Sequence, residues 1–239
     1  MPQSQQRKAT APYRRDKSMS GSVSRYVHNI ADNCHGKVVV EIGAGKGLVK
    51  EISLISLHAK LFIGIDPSRN VSKNPYVHTF QTATLEECQL EDASVDIIYS
   101  IYVMEHILDP GPTLARAYSI LKPGGKFYAI TVNKKHYFAS ISQLFDRLEL
   151  KKAYIEKVMR AKYELAFGFK TYYNFNDHDD VCKAMSANNY KSVNIFEETD
   201  NSLLDYYFPR PFKFMPYLIS RLFSRSSWTK NVMVIEATK

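Results

Sequence analysis

The sequence has little of what would place a chain in a membrane or outside a cell. No stretch approaches the roughly eighteen consecutive apolar residues that a membrane-spanning helix needs, and no hydrophobic N-terminal region resembles a secretory signal. A cytoplasmic location is the expectation. Cysteine is scarce: Cys34, Cys88 and Cys182 are far apart, odd in number and form no CxxC pair. That excludes a disulfide framework and a zinc site of ordinary spacing, and it fits a reducing compartment. Ten glycines and ten prolines in 239 residues are too few for a fibrous or largely disordered chain. No internal repeat, nucleophile triad or metal-ligand cluster is visible, so no metal is expected.

What is present is a neutral centre with basic flanks. Residues 36–132 carry nine Lys/Arg against ten acids, and residues 171–202 carry two against six. The excess positive charge lies elsewhere: six against two in 1–35, nine against four in 133–170, and five against one in 203–230. The length suits one domain. We expect a flexible basic segment over 1–22 and a single domain over 23–239, with substrate-side insertions at about 133–170 and 200–230.

Between Val38 and Thr131, short apolar runs alternate with stretches of helical period. Strands are predicted at Val38–Ile42, Leu61–Ile65, Val95–Ile101 and Lys126–Val132, with a weaker one at Val77–Phe80. Helices are predicted at Leu48–His58 and Val103–Leu121, the second stopped by Lys122-Pro123-Gly124-Gly125. Such alternation implies an α/β fold, a parallel sheet wound on both faces. Beyond Val132 the pattern changes. Residues 134–167 read as helical, Asp177–Asn188 as a capped helix, and Val193–Glu197 and Val232–Ala237 as strands.

The chemistry concentrates at Glu41-Ile42-Gly43-Ala44-Gly45-Lys46-Gly47, a strand running into a glycine-rich turn. Glycines leave the backbone uncovered, so a ligand can lie against it. Asp66 follows nineteen residues after Gly47, at the end of the next predicted strand. A carboxylate there can accept hydrogen bonds from both hydroxyls of a ribose, in a nucleoside or in a dinucleotide. The spacing is GxGxG, whereas a dinucleotide site wants GxGxxG, which disfavours a nicotinamide or flavin enzyme.

VVVEIGAGKG, GIDPS, SVDIIYSIYVMEHILDP and LKPGGKFYAIT, in that order, resemble the motif series of class I S-adenosylmethionine-dependent methyltransferases, and more narrowly the small-molecule group with an EHxxDP helix start. The resemblance covers about residues 36–132 well and 171–197 loosely. It implies a seven-stranded Rossmann-like sheet with its last strand antiparallel and a helical insertion after the fifth strand. The implied cofactor is S-adenosyl-L-methionine, with S-adenosyl-L-homocysteine as product.

The same resemblance implies that Glu41, Gly43, Ala44, Gly45 and Gly47 line the methionine end, Asp66 holds the ribose, and Pro67, Thr84 and Leu85 flank the adenine. Ser100 would approach the methionine moiety through its backbone. Thr84 stands where the family has an acid for the adenine amine, so Glu86 is an alternative acceptor. His106 and His136 are the candidate catalytic bases, imidazole being suited to proton transfer near neutral pH. Asp96, inside a strand, reads as structural. Tyr137, Tyr172, Tyr173 and Asn174 suggest an aromatic lid.

The acceptor is expected to be a small molecule methylated on oxygen or nitrogen, and the basic flanks suggest an anionic one. The aromatic-basic stretch 206–228 would also suit extra core packing or peripheral contact with a membrane. A nucleic-acid methyltransferase is the main rival, disfavoured because IYVMEH stands where a D/NPPY base-flipping motif would. A catalytically silent binding subunit is the other alternative. Oligomeric state is left open.

Overall fold

The computed structural model describes residues 21–137, 139–140, 170–201, 210–223 and 226–239. The β-branched runs pair as the alternation requires. Strands β1 (Val38–Ile42), β2 (Leu61–Ile65), β3 (Thr79–Gln81), β4 (Val95–Ile101) and β5 (Leu121–Val132) are parallel. With β6 (Lys191–Glu198) and β7 (Val232–Thr238) they form one seven-stranded sheet in the order β3-β2-β1-β4-β5-β7-β6. β7 runs antiparallel to both neighbours.

Side chains alternate across a strand, so each strand feeds two cores. Val39, Phe62, Ile97, Tyr99, Tyr128 and Ile130 pack beneath α1 (Ser22–Asn33) and α2 (Ile52–His58). Val40, Ile42, Ile63, Ile98, Phe127 and Ala129 face α3 (Pro110–Ile120) and α4 (His178–Ala187). Because both faces are covered, the strands read as near-continuous apolar runs rather than alternating ones. A further helix, α5 (Met215–Leu222), precedes β7. Among the described residues no helix is long and apolar enough to cross a membrane.

Four local expectations need correction. Residues 22–33, for which no helix was predicted, form α1, tied down by Asp200, whose carboxylate accepts from the Ser22 N–H at 2.6 Å, and by an Arg25–Glu198 ion pair at 2.6 Å. The helix predicted from Val103 begins at Pro110 instead: Met104–His106 is a 3-10 turn, and Asp109 caps α3 by accepting from the Gly111 N–H at 3.0 Å. Proline favours the first helical position, and such a cap is worth about 1 kcal/mol. Helix α2 starts at Ile52 rather than Leu48, so its N-terminus stands five residues beyond Gly47. The Lys122–Gly125 turn is a bulge inside β5, where pairing jumps from Val95↔Leu121 to Ile97↔Lys126.

The expected helix over Asp177–Asn188 is present as α4, with Asp177 as its cap. Most of the helical reading of 134–167, residue 138 and residues 141–169 included, lies outside the described residues, as do residues 1–20 of the basic N-terminal segment and residues 202–209 of the second insertion.

Candidate active site

Where β1 ends, the chain must turn sharply beside the end of β2. The N–H groups of Gly43 and Ala44 both donate to the Ile65 carbonyl, at 2.7 and 3.3 Å, which pins the glycine turn to the neighbouring strand. Gly43 has φ +70°, and a Cβ there would stand 2.3 Å from Cγ2 of Val103. Only glycine fits. Gly45, at φ +45°, donates its N–H to Oδ2 of Asp66 at 2.9 Å, and a Cβ there would stand 3.9 Å from that oxygen. The Ser68 N–H donates to Oδ1 of Asp66 at 2.7 Å. Two backbone donors thus aim the carboxylate, and each oxygen keeps acceptor capacity for a hydroxyl.

Sequence reasoning missed the residue that holds this turn from behind. Asn74 is buried, donates Nδ2 to the Ala44 carbonyl at 2.8 Å, and accepts the Tyr76 N–H on Oδ1 at 3.0 Å. The asparagine after the 3-10 turn Arg69–Lys73 gave no sign of this, because its partner lies thirty residues earlier.

A cavity of about 440 Å³ opens at these strand ends, within the roughly 300–1,000 Å³ common for small-molecule sites. Of the cofactor residues expected, Gly43, Asp66, Pro67, Thr84 and Leu85 line it. Glu86 lines it as well, its carboxylate accepting from the Thr113 hydroxyl. Pro67, Leu85, Ile101, Val103 and Ile107 supply apolar walls suited to a flat base. Glu41, Ala44, Gly45, Gly47 and Ser100 are not among the lining residues. The Ser100 carbonyl takes the hydroxyl of Tyr26, from α1, at 3.0 Å.

Glu41 is buried beneath the turn, and its Oε2 has no hydrogen-bond partner among the described residues. Burial pushes its carboxyl up to about 8, an effect the Tyr99 hydroxyl opposes and the Asp66 charge adds to. A buried acid with an unpartnered oxygen stands ready for a cationic group.

His106 lies on the cavity wall, as expected. Its Nδ1 is 2.9 Å from the Lys170 carbonyl. A carbonyl only accepts, so the neutral ring carries its proton on Nδ1 and its basic lone pair on Nε2. Residues 170–176 form a strap over this turn: the Tyr172 and Tyr173 N–H groups donate to the Glu105 carbonyl at 2.8 and 3.4 Å, and Asn174 Nδ2 donates to the Leu108 carbonyl at 2.7 Å. Beneath them Glu105 is buried, accepting from the Thr131 hydroxyl at 2.8 Å, while Asn176 Nδ2 donates to Thr131 and to the Val132 carbonyl, each at 2.7 Å. Burial raises the Glu105 carboxyl above its ordinary range.

His136 is elsewhere. It is 2% exposed, its ring 4.2 Å from that of Tyr137, and it is not among the cavity-lining residues. Burial lowers its imidazole to about 4, leaving it neutral at physiological pH. Asp96 lies at the opposite end of the sheet, accepting the Val38 N–H at 2.9 Å and pairing with Lys122 at 2.8 Å. Two lysines of the basic insertion are neutralised at the start of α4: Lys134 pairs with Asp177 at 2.9 Å and with Asp180, and Lys135 approaches Asp179 at 3.7 Å. Neither adds free charge to the cleft. Among the described residues no group of three or more His, Cys, Asp or Glu side chains could hold a metal ion.

The family model described as a methyltransferase domain matches residues 13–195. A probable S-adenosylmethionine-dependent methyltransferase of Mycolicibacterium smegmatis is 32% identical over 110 residues, 44% of this chain and 42% of that protein. A ubiquinone biosynthesis O-methyltransferase of Coxiella burnetii is 28% identical over 107 residues, 41% of this chain and 45% of that protein. The match thus spans under half the length of each of these relatives. Among solved structures, S-adenosylmethionine-dependent methyltransferases of Mesorhizobium loti and Archaeoglobus fulgidus share the fold, each with TM-score 0.59. They are 14% and 16% identical, the alignments covering 90% and 91% of this chain and 96% and 93% of theirs.

Proposed function

The chain belongs to the methyltransferase-domain family, and from that premise we infer that it is a class I S-adenosylmethionine-dependent methyltransferase acting on an oxygen or nitrogen of a small acceptor. The observation that carries this reading is the Asp66 carboxylate, aimed by two backbone donors into a cavity walled by Pro67 and Leu85. When bound, S-adenosylmethionine supplies a sulfonium methyl that a nucleophile attacks in line. Asp66 would accept from the ribose hydroxyls, the apolar walls would hold the adenine, Thr84 or Glu86 would accept from its amine, and Glu41, buried beneath the turn, would answer the ammonium of the methionine end. His106 takes the proton of a hydroxyl acceptor on Nε2. The remaining work is positioning and exclusion of water.

The acceptor is proposed to carry an acidic group, on the strength of the basic flanks less the neutralised Lys134 and Lys135.

Titration with S-adenosylmethionine tests the cofactor assignment. Asp66→Ala should weaken binding by about 1.5–3 kcal/mol, the scale for charged hydrogen bonds to buried hydroxyls. Unchanged affinity would remove that role from the carboxylate.

Glu41 gives the binding reaction a proton signature. Its carboxyl is held near 8 in the folded chain, so near neutral pH it is largely protonated, and a cation placed beside it favours the ionised form. Cofactor binding should then release a proton, read as a dependence of calorimetric heat on the ionisation enthalpy of the buffer. Glu41→Gln should abolish the dependence. The same shift has a stability sign: a carboxyl raised above its unfolded value favours the folded chain at low pH, and this contribution is lost as pH climbs from about 4.5 to about 8. The glutamine variant should therefore gain melting temperature relative to wild type across that window. A proton release that persists in Glu41→Gln assigns it to another group.

A further inference from the structure

We propose that the segment around α5 is a docking face for an anionic lipid surface. The helix is amphipathic in the inverted sense. Its inner side holds the buried Pro216 and the half-buried Ser220, whose hydroxyl donates to Asn201 Oδ1 at 2.8 Å. Its outer side shows Phe214, Tyr217, Leu218 and Leu222, 45–68% exposed, at the three- and four-residue spacing of one helix face. Phe212, Phe223 and Trp228 extend the exposed apolar surface beyond both helix ends. An apolar patch of this extent on a folded chain marks an interaction surface.

The charges select the occupant. Lys213 and Arg221 are exposed within the patch, and residues 206–230 contain five Lys/Arg and no acid. A second copy of the chain would set these cations against the same cations, with no carboxylate among residues 206–230 to answer them. A layer of anionic headgroups above hydrocarbon answers both features, taking the cations at its surface and the phenyl, indole and leucine groups just below.

The face also lies at the functional end of the sheet. β7 begins at Val232 opposite Val132, the last residue of β5, and Trp228 packs 5.0 Å from Tyr137, which follows β5. The cavity opens at the same ends of β1, β2 and β4. A chain docked through α5 therefore turns its cavity edge toward the lipid, the arrangement for an amphiphilic acceptor. The docking itself does not depend on the methyl-transfer reading.

The test is co-sedimentation of the full chain with vesicles of equimolar phosphatidylglycerol and phosphatidylcholine, against vesicles of phosphatidylcholine alone, at low and high salt. Binding is expected to the anionic vesicles, to fall with salt, and to weaken about tenfold or more in Lys213→Glu/Arg221→Glu, each basic group near such a surface contributing about fivefold. Leu218→Glu/Leu222→Glu should abolish it, with melting temperature and cofactor affinity unchanged, since these side chains are exposed and are not among the cavity-lining residues. Absence of binding to anionic vesicles overturns the proposal. So does a concentration-dependent dimer in light scattering that Leu218→Glu/Leu222→Glu dissolves, which would give the face to a second copy.

Discussion

Alanine at His106 is expected to lower turnover by about 10²–10⁴-fold on a hydroxyl acceptor, the usual scale for losing a positioned base. Affinity for S-adenosylmethionine should change far less than turnover, because the ring belongs to the wall made by the turn after β4, whereas Asp66 follows β2. The geometry explains why this imidazole suits the task. The Lys170 carbonyl accepts from Nδ1 of the neutral ring, so Nε2 is the nitrogen on which the proposed role would rest. The measurement is S-adenosylhomocysteine formed per enzyme with whichever hydroxyl compound supports turnover in the wild type. His106→Asn separates two roles, since its amide can still donate toward the Lys170 carbonyl but cannot accept a proton at neutral pH. Recovery of activity in His106→Asn would show that the ring serves to hold the strap, and a fall below tenfold in His106→Ala would return it to a structural role.

The second large effect is expected at Gly43. Alanine there must adopt φ +70° and place a methyl 2.3 Å from Val103, so it adds backbone strain of about 1–3 kcal/mol to overpacking of similar size. Val103 is the residue before the Met104–His106 turn, and pushing it displaces the wall that carries His106. Gly43→Ala should lose about 2–5 kcal/mol of stability and most cofactor affinity. Adding Val103→Ala should restore the steric part and leave the conformational part, so the double variant melts between Gly43→Ala and wild type. If Val103→Ala restores nothing, the clash is not the cause.

The glycine turn and the carboxylate beside it were legible because their signals are local. Gly43, Gly45 and Gly47 follow a β-branched strand, and Asp66 ends the next one; both facts survive any rearrangement of distant elements. The start of α3 was equally readable, since Asp109-Pro110 is a cap followed by a favoured first residue, but helical periodicity was extended back through it. α1 carries Val23, Tyr26, Val27, Ile30 and Ala31 at three- and four-residue spacing, a signal passed over beside the polar N-terminal segment. His136 could not be separated from His106 in this way. One is buried against Tyr137 and the other lines the cavity, and that difference is made by packing contacts that no local pattern encodes. The strap was invisible for the same reason, its bonds to His106 and Leu108 spanning 64 and 66 residues.

That seam is written mostly in main-chain atoms. The strap takes hold through the carbonyls of Glu105, Leu108 and Lys170 and the amides of Tyr172 and Tyr173, while the Lys134 N–H reaches the Asn176 carbonyl at 2.8 Å. Carbonyls and amides are the same whatever side chains surround them. A strap that keeps Asn174 and Asn176, whose amides reach Leu108, Thr131 and Val132, can therefore vary elsewhere and still seat on the same rail. Among the described residues the cavity lining, by contrast, comes from the stretch Ile42 to Thr113. Grafting experiments have a natural cut line here: that described lining is continuous in sequence, and residues 170–176 join it from a distant stretch as a separate piece.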